Sequence, residues 1–167
     1  MYQPRRCSDR RTLRVVIGEL FHTGVVVADV ERAIDDLSRA LGLQFTEVQE
    51  HPMRQWRPSG EQRLVLRYAY SLAPYPLVEL IEAQPGTFYE PVPGARTQLH
   101  HVGMWVDDLA AAAEQLARDG FELAAAGVDD DGNRPARVTF HESAHGVRVE
   151  LCDVAMRAGF DAWVTSG

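Results

Sequence analysis

Apolar side chains at Val30, Ala33, Ile34, Leu37 and Leu41 recur at i, i+3, i+4, i+7 and i+11, the stripe of an amphipathic helix. Asp29 stands where a carboxylate caps free backbone N–H groups, and Gly42 stands where a helix ends. The stripe returns as Leu109, Ala112, Ala113 and Leu116, bounded by Asp108 and Gly120. Shorter apolar runs predict strands: one before each helix, then roughly Leu43–Val48, Arg63–Tyr70 and Leu77–Glu82 after the first helix. After the second helix they fall at Phe121–Ala125, Arg137–His141 and Val147–Cys152. Pro58-Ser59-Gly60, Pro74-Tyr75-Pro76, Asp131-Gly132-Asn133 and His145-Gly146 are the turn signals between the later strands.

The two halves are also similar in sequence. Leu20 to Val30 aligns with Leu99 to Leu109, and both segments carry His-x-Gly, an apolar run and then Asp. The pattern predicts an α+β chain of two tandem βαβββ modules, residues 20–84 and 99–153. An N-terminal arm (1–19), a Pro/Gly-rich connector (85–98) and a C-terminal tail (154–167) complete it. A module of about 60–65 residues buries little apolar surface alone, so the two are expected to share one sheet.

Strand side chains alternate between faces. Phe21, Thr23, Val25 and Val27 are therefore expected to meet the first helix, with His22 on the opposite, concave side. Val78 and Leu80 likewise pack under that helix while Glu79 turns inward. The second module repeats this, with Val102, Met104 and Val106 opposed to His101, and Val147, Val149 and Leu151 opposed to Glu150. Two imidazoles and two carboxylates at repeat-equivalent places suit one divalent ion, such as zinc, nickel, cobalt, manganese or iron(II). Two hydrogen-bonded His–Glu pairs in a metal-free cup are the alternative arrangement. Trp105 shares the face of His101 and is a candidate pocket wall. Arg148 shares the face of Glu150, as an anchor for an anionic substrate or as a partner of a carboxylate. His100 is expected to face away from His101, while His51, His141 and His145 read as surface residues of loops or strand ends. Asp129 to Asn133 lacks the downstream Glu of an EF-hand and reads as a solvated turn.

Composition narrows the chemistry. All 17 basic residues are Arg, so lysine Schiff-base and Walker-lysine mechanisms are excluded. The net charge of −7 disfavours nucleic acid as the main partner, despite five Arg among the first 14 residues. Cys7 and Cys152 are too few and too scattered for a disulfide scaffold. No run reaches the ~18 apolar residues of a membrane helix, and no hydrophobic stretch of an export signal follows the basic start. The expectation is a cytoplasmic protein with a small-molecule substrate, without membrane or nucleic-acid partners, in which paired modules allow a homodimer.

The His22, Glu79, His101, Glu150 quartet, spread over two βαβββ repeats, resembles the vicinal oxygen chelate superfamily of glyoxalase I, methylmalonyl-CoA epimerase, extradiol dioxygenases and drug-resistance proteins. The resemblance covers about residues 20–153 and implies an incomplete eight-stranded barrel around a central cup. It also implies a metal there, held by those four residues in a set closest in type to glyoxalase I. The segments Leu99-His100-His101-Val102-Gly103, Val106-Asp107-Asp108-Leu109 and Phe140 to Leu151 are most similar to methylmalonyl-CoA epimerase. His141-Glu142-Ser143 replaces that enzyme's His-Pro-Lys, and Glu79 its usual Gln, which weakens the case for a carboxyl-CoA substrate.

Chemistry common to the superfamily has a metal chelate two neighbouring substrate oxygens and stabilise an enolate as a nearby carboxylate takes the adjacent proton. Glu150 is the first candidate base, Glu79 the second and Glu61 a weaker third. The leading expectation is a metal-dependent isomerase, epimerase or lyase. The alternatives are a metal-free binding or resistance protein and an iron(II) dioxygenase.

Overall fold

The computed structural model describes residues 17–166, so the basic arm and Cys7 lie outside the described residues. The first module comprises β1 (Glu19–Val27), α1 (Val30–Leu41), β2 (Gln49–Arg57), β3 (Gly60–Tyr70) and β4 (Leu77–Glu82). The second comprises β5 (Thr97–Val106), α2 (Leu109–Arg118), β6 (Phe121–Val128), β7 (Val138–Ser143) and β8 (Arg148–Asp153). A 3₁₀ turn (Val154–Met156) and α3 (Arg157–Ser166) follow. Each module's helix starts on an aspartate whose side chain accepts a backbone N–H, Arg32 N to Asp29 at 3.0 Å and Ala111 N to Asp108 at 2.9 Å.

The strands form one ring in the order β1-β4-β3-β2-β6-β7-β8-β5. β1 and β5 pair antiparallel and so join the two modules, and each pairs in parallel with the last strand of its own module. The ring is closed where an incomplete one was expected. Closure comes from Arg54↔Val128, Gln55↔Gly127 and Trp56↔Ala126, because β2 runs far enough to meet β6. That strand was expected at residues 43–48, which make only the isolated bridge Phe45↔Ser71. The observed β2, Gln49–Arg57, is polar and contains Pro52, so it shows no apolar alternation. Pro52 precedes the stretch that pairs with β6, where a missing N–H can be tolerated.

The apolar stripes pack as their spacing predicts, except that Leu41, at the end of α1, is exposed. Val30, Val27 and Leu80 are buried between α1 and the sheet, and Val106, Ala112, Leu116 and Leu151 between α2 and the sheet. Each fully buried Val or Leu side chain contributes about 1.5–3 kcal/mol. Val147, expected in this set, precedes β8 and is exposed. The connector also folds inward, burying Phe88 and Tyr89 against Val26, Ile81 and Phe140. Among the described residues no helix is long and apolar enough to cross a membrane.

Residues 154–166, expected as a tail, form a wall of the molecule. Met156, Phe160, Trp163 and Val164 occupy one face of the C-terminal helical segment, and Phe160 meets the rings of Tyr70, Phe21 and Trp105 at 5.0, 5.5 and 5.5 Å. Phe160→Ala is expected to lower stability by about 2 kcal/mol, less than a fully buried ring because Phe160 is half-buried. Denaturant unfolding measures this, and an unchanged midpoint would show that α3 is not docked as described.

Candidate active site

The barrel holds an open cup of about 1310 Å³, walled by aromatic residues that include Phe21, Tyr68, Tyr70, Trp105, Phe160 and Trp163. Arg54, Arg63 and Arg137 also line it, with Asp129 and Asp130. His22, Glu79, His101 and Glu150 come together from the four strands β1, β4, β5 and β8. The two Nε2 atoms of His22 and His101 are 2.7 Å apart. Oε2 of Glu150 lies 3.1 and 3.2 Å from them, and Oε2 of Glu79 lies 3.3 Å from each. All four residues are buried.

Two β-bulges shape this centre. The β1–β5 register passes from Leu20↔Met104 to His22↔Gly103, skipping Phe21, and from Gly24↔His101 to Val25↔Leu99, skipping His100. A bulge places two consecutive residues on one side of the strand. Phe21, expected against α1, therefore lines the cup and stacks on Trp105 with ring centroids 3.9 Å apart. His100, expected to face away from His101, is buried beside it, with the two Nδ1 atoms 2.9 Å apart. The same register sets each glycine of the repeated His-x-Gly under the other module's histidine. A Cβ at Gly24 would meet His101 Cε1 at 2.1 Å, and one at Gly103 would meet His22 Cε1 at 1.9 Å.

The electrostatics have one cause. Burial would depress the His101 pKa, but the adjacent carboxylates of Glu150 and Glu79 raise it to about 10, and they also raise that of His22. Burial opposes the charge of Glu79, yet hydrogen bonding to His101 and His22 lowers its pKa to about 2, and Glu150 is lowered in the same way. The quartet stabilises positive charge at its centre. Burial and the neighbouring His101 push His100 down to about 3, so it is neutral.

Donor atoms around an ion bound at about 2.0–2.2 Å stand about 3 Å apart when adjacent, close to the spacings found here. His22, His101 and Glu150 present donor atoms within 4.8 Å of one another, and Glu79 reaches both imidazoles. The residues therefore fit a divalent ion with N and O ligands.

The other predicted residues are placed as follows. Trp105 is in the cup wall, its Nε1 buried without a partner. Arg148 is not in the cup. It pairs with Glu142, lies 4.8 Å over the Phe88 ring and lines a second hollow of about 670 Å³. Glu61 pairs with Arg54 at 2.7 Å and is absent from the cup lining. His51 is in β2 at the cup, and His141 is buried on β7 against the Thr139 hydroxyl at 3.0 Å. His145 is exposed, and Asp129 closes a turn by accepting from Asn133 N at 2.7 Å. Sequence reasoning missed the roles of Gly24, Gly103 and His100, although the repeated His-x-Gly carried the signal for the glycines.

The fold is similar to solved structures over most of its length. Methylmalonyl-CoA epimerase from Mycobacterium tuberculosis superposes with a TM-score of 0.55 at 20% identity, covering 86% of this chain and 93% of that one. A Streptomyces coelicolor methylmalonyl-CoA epimerase variant in complex with 2-nitronate-propionyl-CoA gives 0.54 at 14% identity, covering 83% and 98%. No curated protein matches the sequence. A family model matches residues 21–140, well over half of the chain, and with the paired modules and shared cup it follows that the chain belongs to the glyoxalase/bleomycin resistance protein/dioxygenase superfamily.

Proposed function

We propose that the protein is a divalent-metal-dependent epimerase or isomerase that moves a proton on the carbon next to a carbonyl group of a small oxygenated substrate. The observation that carries this reading is the convergence of four buried donor atoms, Nε2 of His22 and His101 and Oε2 of Glu79 and Glu150, at 2.7–3.3 Å at the cup. His22, His101, Glu79 and Glu150 would hold the ion, which supplies Lewis acidity to two neighbouring substrate oxygens. Glu150 takes the substrate proton at a carboxylate oxygen, and Glu79, its counterpart in the first module, stands across the histidine pair for return of a proton from the other side. Aromatic side chains surround these groups, and Trp105 and Phe160 bound the space for the apolar part of the substrate. The methylmalonyl-CoA epimerases of similar fold support proton transfer as the reaction type. A metal-free binding protein is disfavoured because the histidine pair would then hold its own positive charge with the two Nε2 atoms only 2.7 Å apart, where protonated rings repel.

Metal analysis tests this directly. The wild-type chain is expected to take up about one Zn²⁺ or Ni²⁺, and the ion is expected to raise the melting temperature because its ligands come from both modules. His22→Ala removes one of four ligands. Sharing the ~10–16 kcal/mol of a four-ligand site equally gives about 3 kcal/mol, a loss on the order of a hundredfold in affinity. Equal Zn²⁺ affinity in wild type and His22→Ala would exclude the quartet as the site.

A further inference from the structure

The two histidines of the quartet are held differently. His100 Nε2 lies 3.0 Å from the carbonyl oxygen of Phe88, which can only accept, so this nitrogen carries the proton and donates. His100 is 3% exposed, with no carboxylate among its hydrogen-bond partners, and a neutral imidazole that donates from Nε2 has a bare Nδ1. That bare Nδ1 is 2.9 Å from Nδ1 of His101, which must therefore be the donor. The chain of bonds runs from His101 Nδ1–H to His100 Nδ1, and from His100 Nε2–H to the Phe88 carbonyl. It leaves Nε2 of His101 to face Glu79, Glu150 and His22.

The His100 ring is itself fixed in place. Tyr89 stacks on it at 5.1 Å with a 28° interplanar angle, and Phe88 meets it edge-on at 4.9 Å. The first module lacks this device. Its equivalent residue is Phe21, which touches the His22 ring edge-on at 4.2 Å, and His22 Nδ1 is buried without any partner.

We propose that His100 is a positioning residue that accepts the Nδ1–H of His101 and so holds Nε2 as the nitrogen presented to the cup, making His101 the anchored ligand of the pair and His22 the unanchored one. The proposal rests on the metal reading given above, because its consequence is tighter metal binding. Hydrogen-bond partners of metal-bound histidines typically account for about 10–100-fold in affinity. The bulge at position 100 is the structural means, since only there do two consecutive side chains of β5 face the same side.

The test compares wild type with His100→Phe, which copies the arrangement of the first module, and His100→Asn, whose Oδ1 can stand in for the accepting Nδ1. Zn²⁺ affinity, read by competition with a chromophoric chelator, is expected to fall about 10–100-fold in His100→Phe and to recover to within about threefold of wild type in His100→Asn. A His100→Phe protein that binds Zn²⁺ like wild type overturns the proposal, and so does a His100→Asn protein as weak as His100→Phe, which would make the residue merely structural. ¹⁵N spectra of the wild-type protein, which need no variant to fold, are expected to show His100 protonated on Nε2 alone. Protonation on Nδ1 alone overturns the proposal. A wild-type protein that binds no Zn²⁺ or Ni²⁺ overturns the metal reading instead, and the His100 spectrum on the same sample still decides the tautomer.

Discussion

Gly103→Ala is expected to weaken metal binding about a hundredfold or more with the barrel still folded, and Gly24→Ala to do the same from the other module. A methyl group at 103 would stand 1.9 Å from Cε1 of His22, and one at 24 would stand 2.1 Å from Cε1 of His101. His22 has no free space to retreat into, and His101 borders free space only at the cup, where a shift carries it off its partners. His22 is fully buried, with Phe21 at 4.2 Å and Tyr70 at 5.4 Å, and His101 is flanked by His100 at 5.2 Å and Phe140 at 5.3 Å. Overpacking of this kind costs about 1–3 kcal/mol of stability, but the larger effect falls on the site, because a ring displaced by an ångström no longer points its Nε2 at a shared centre. We expect a loss of Zn²⁺ affinity on the order of a hundredfold or more, comparable with deleting the ligand itself. Gly159 provides the control: it lies within α3 with nothing within 4 Å of an added Cβ, so Gly159→Ala should be neutral or stabilising by up to about 1 kcal/mol. Dialysis followed by metal analysis, with circular dichroism to confirm folding, measures all three. Wild-type metal content in Gly103→Ala would show that the crossed packing of glycine and histidine does not hold the site.

The same crossed packing explains what could be read from the sequence. His22 and His101 belong to a repeated His-x-Gly, and their partners Glu79 and Glu150 interrupt apolar runs, so simple alternation places all four inward without knowledge of the barrel. Both main helices follow from their stripes and capping aspartates. Alternation fails at Phe21 and His100 because it assumes unbroken register, and each lies in a bulge that only the pairing of β1 with β5 creates. Arg148 shows the second kind of failure. It lies two residues before Glu150 as expected, but Glu142 opposite it on β7 and the Phe88 ring hold it at the other hollow, and both partners are remote from strand periodicity. β2 was displaced for a third reason: its residues Gln49 to Arg57 are mostly polar, and strand character there comes from pairing with β3 along its whole length rather than from its own pattern.

Glu150→Gln is expected to suppress exchange of the substrate α-proton with deuterated solvent by about 10²–10⁴-fold while retaining part of the metal affinity. An amide still offers an oxygen as ligand but cannot take a proton, so this substitution separates the two duties proposed for the residue. Both glutamates meet the imidazoles through Oε2. Glu150 is the first choice because it makes the shorter contacts, 3.1 and 3.2 Å against 3.3 Å for Glu79, and because it is the more exposed of the two at 9% against 6%. A carboxylate at the edge of the cavity can reach substrate with less displacement of the site. Screening 2-oxo acids, α-hydroxy ketones, thiohemiacetals and acyl-CoA esters by NMR provides the substrate for the measurement. Glu79→Gln run in parallel identifies the other proton carrier: for an epimerase that uses one carboxylate on each side, exchange survives in one of the two variants while net conversion is lost in both. Wild-type exchange in Glu150→Gln together with lost exchange in Glu79→Gln would transfer the base to the first module, and oxygen consumption with ring cleavage of a catechol would replace proton transfer as the reaction.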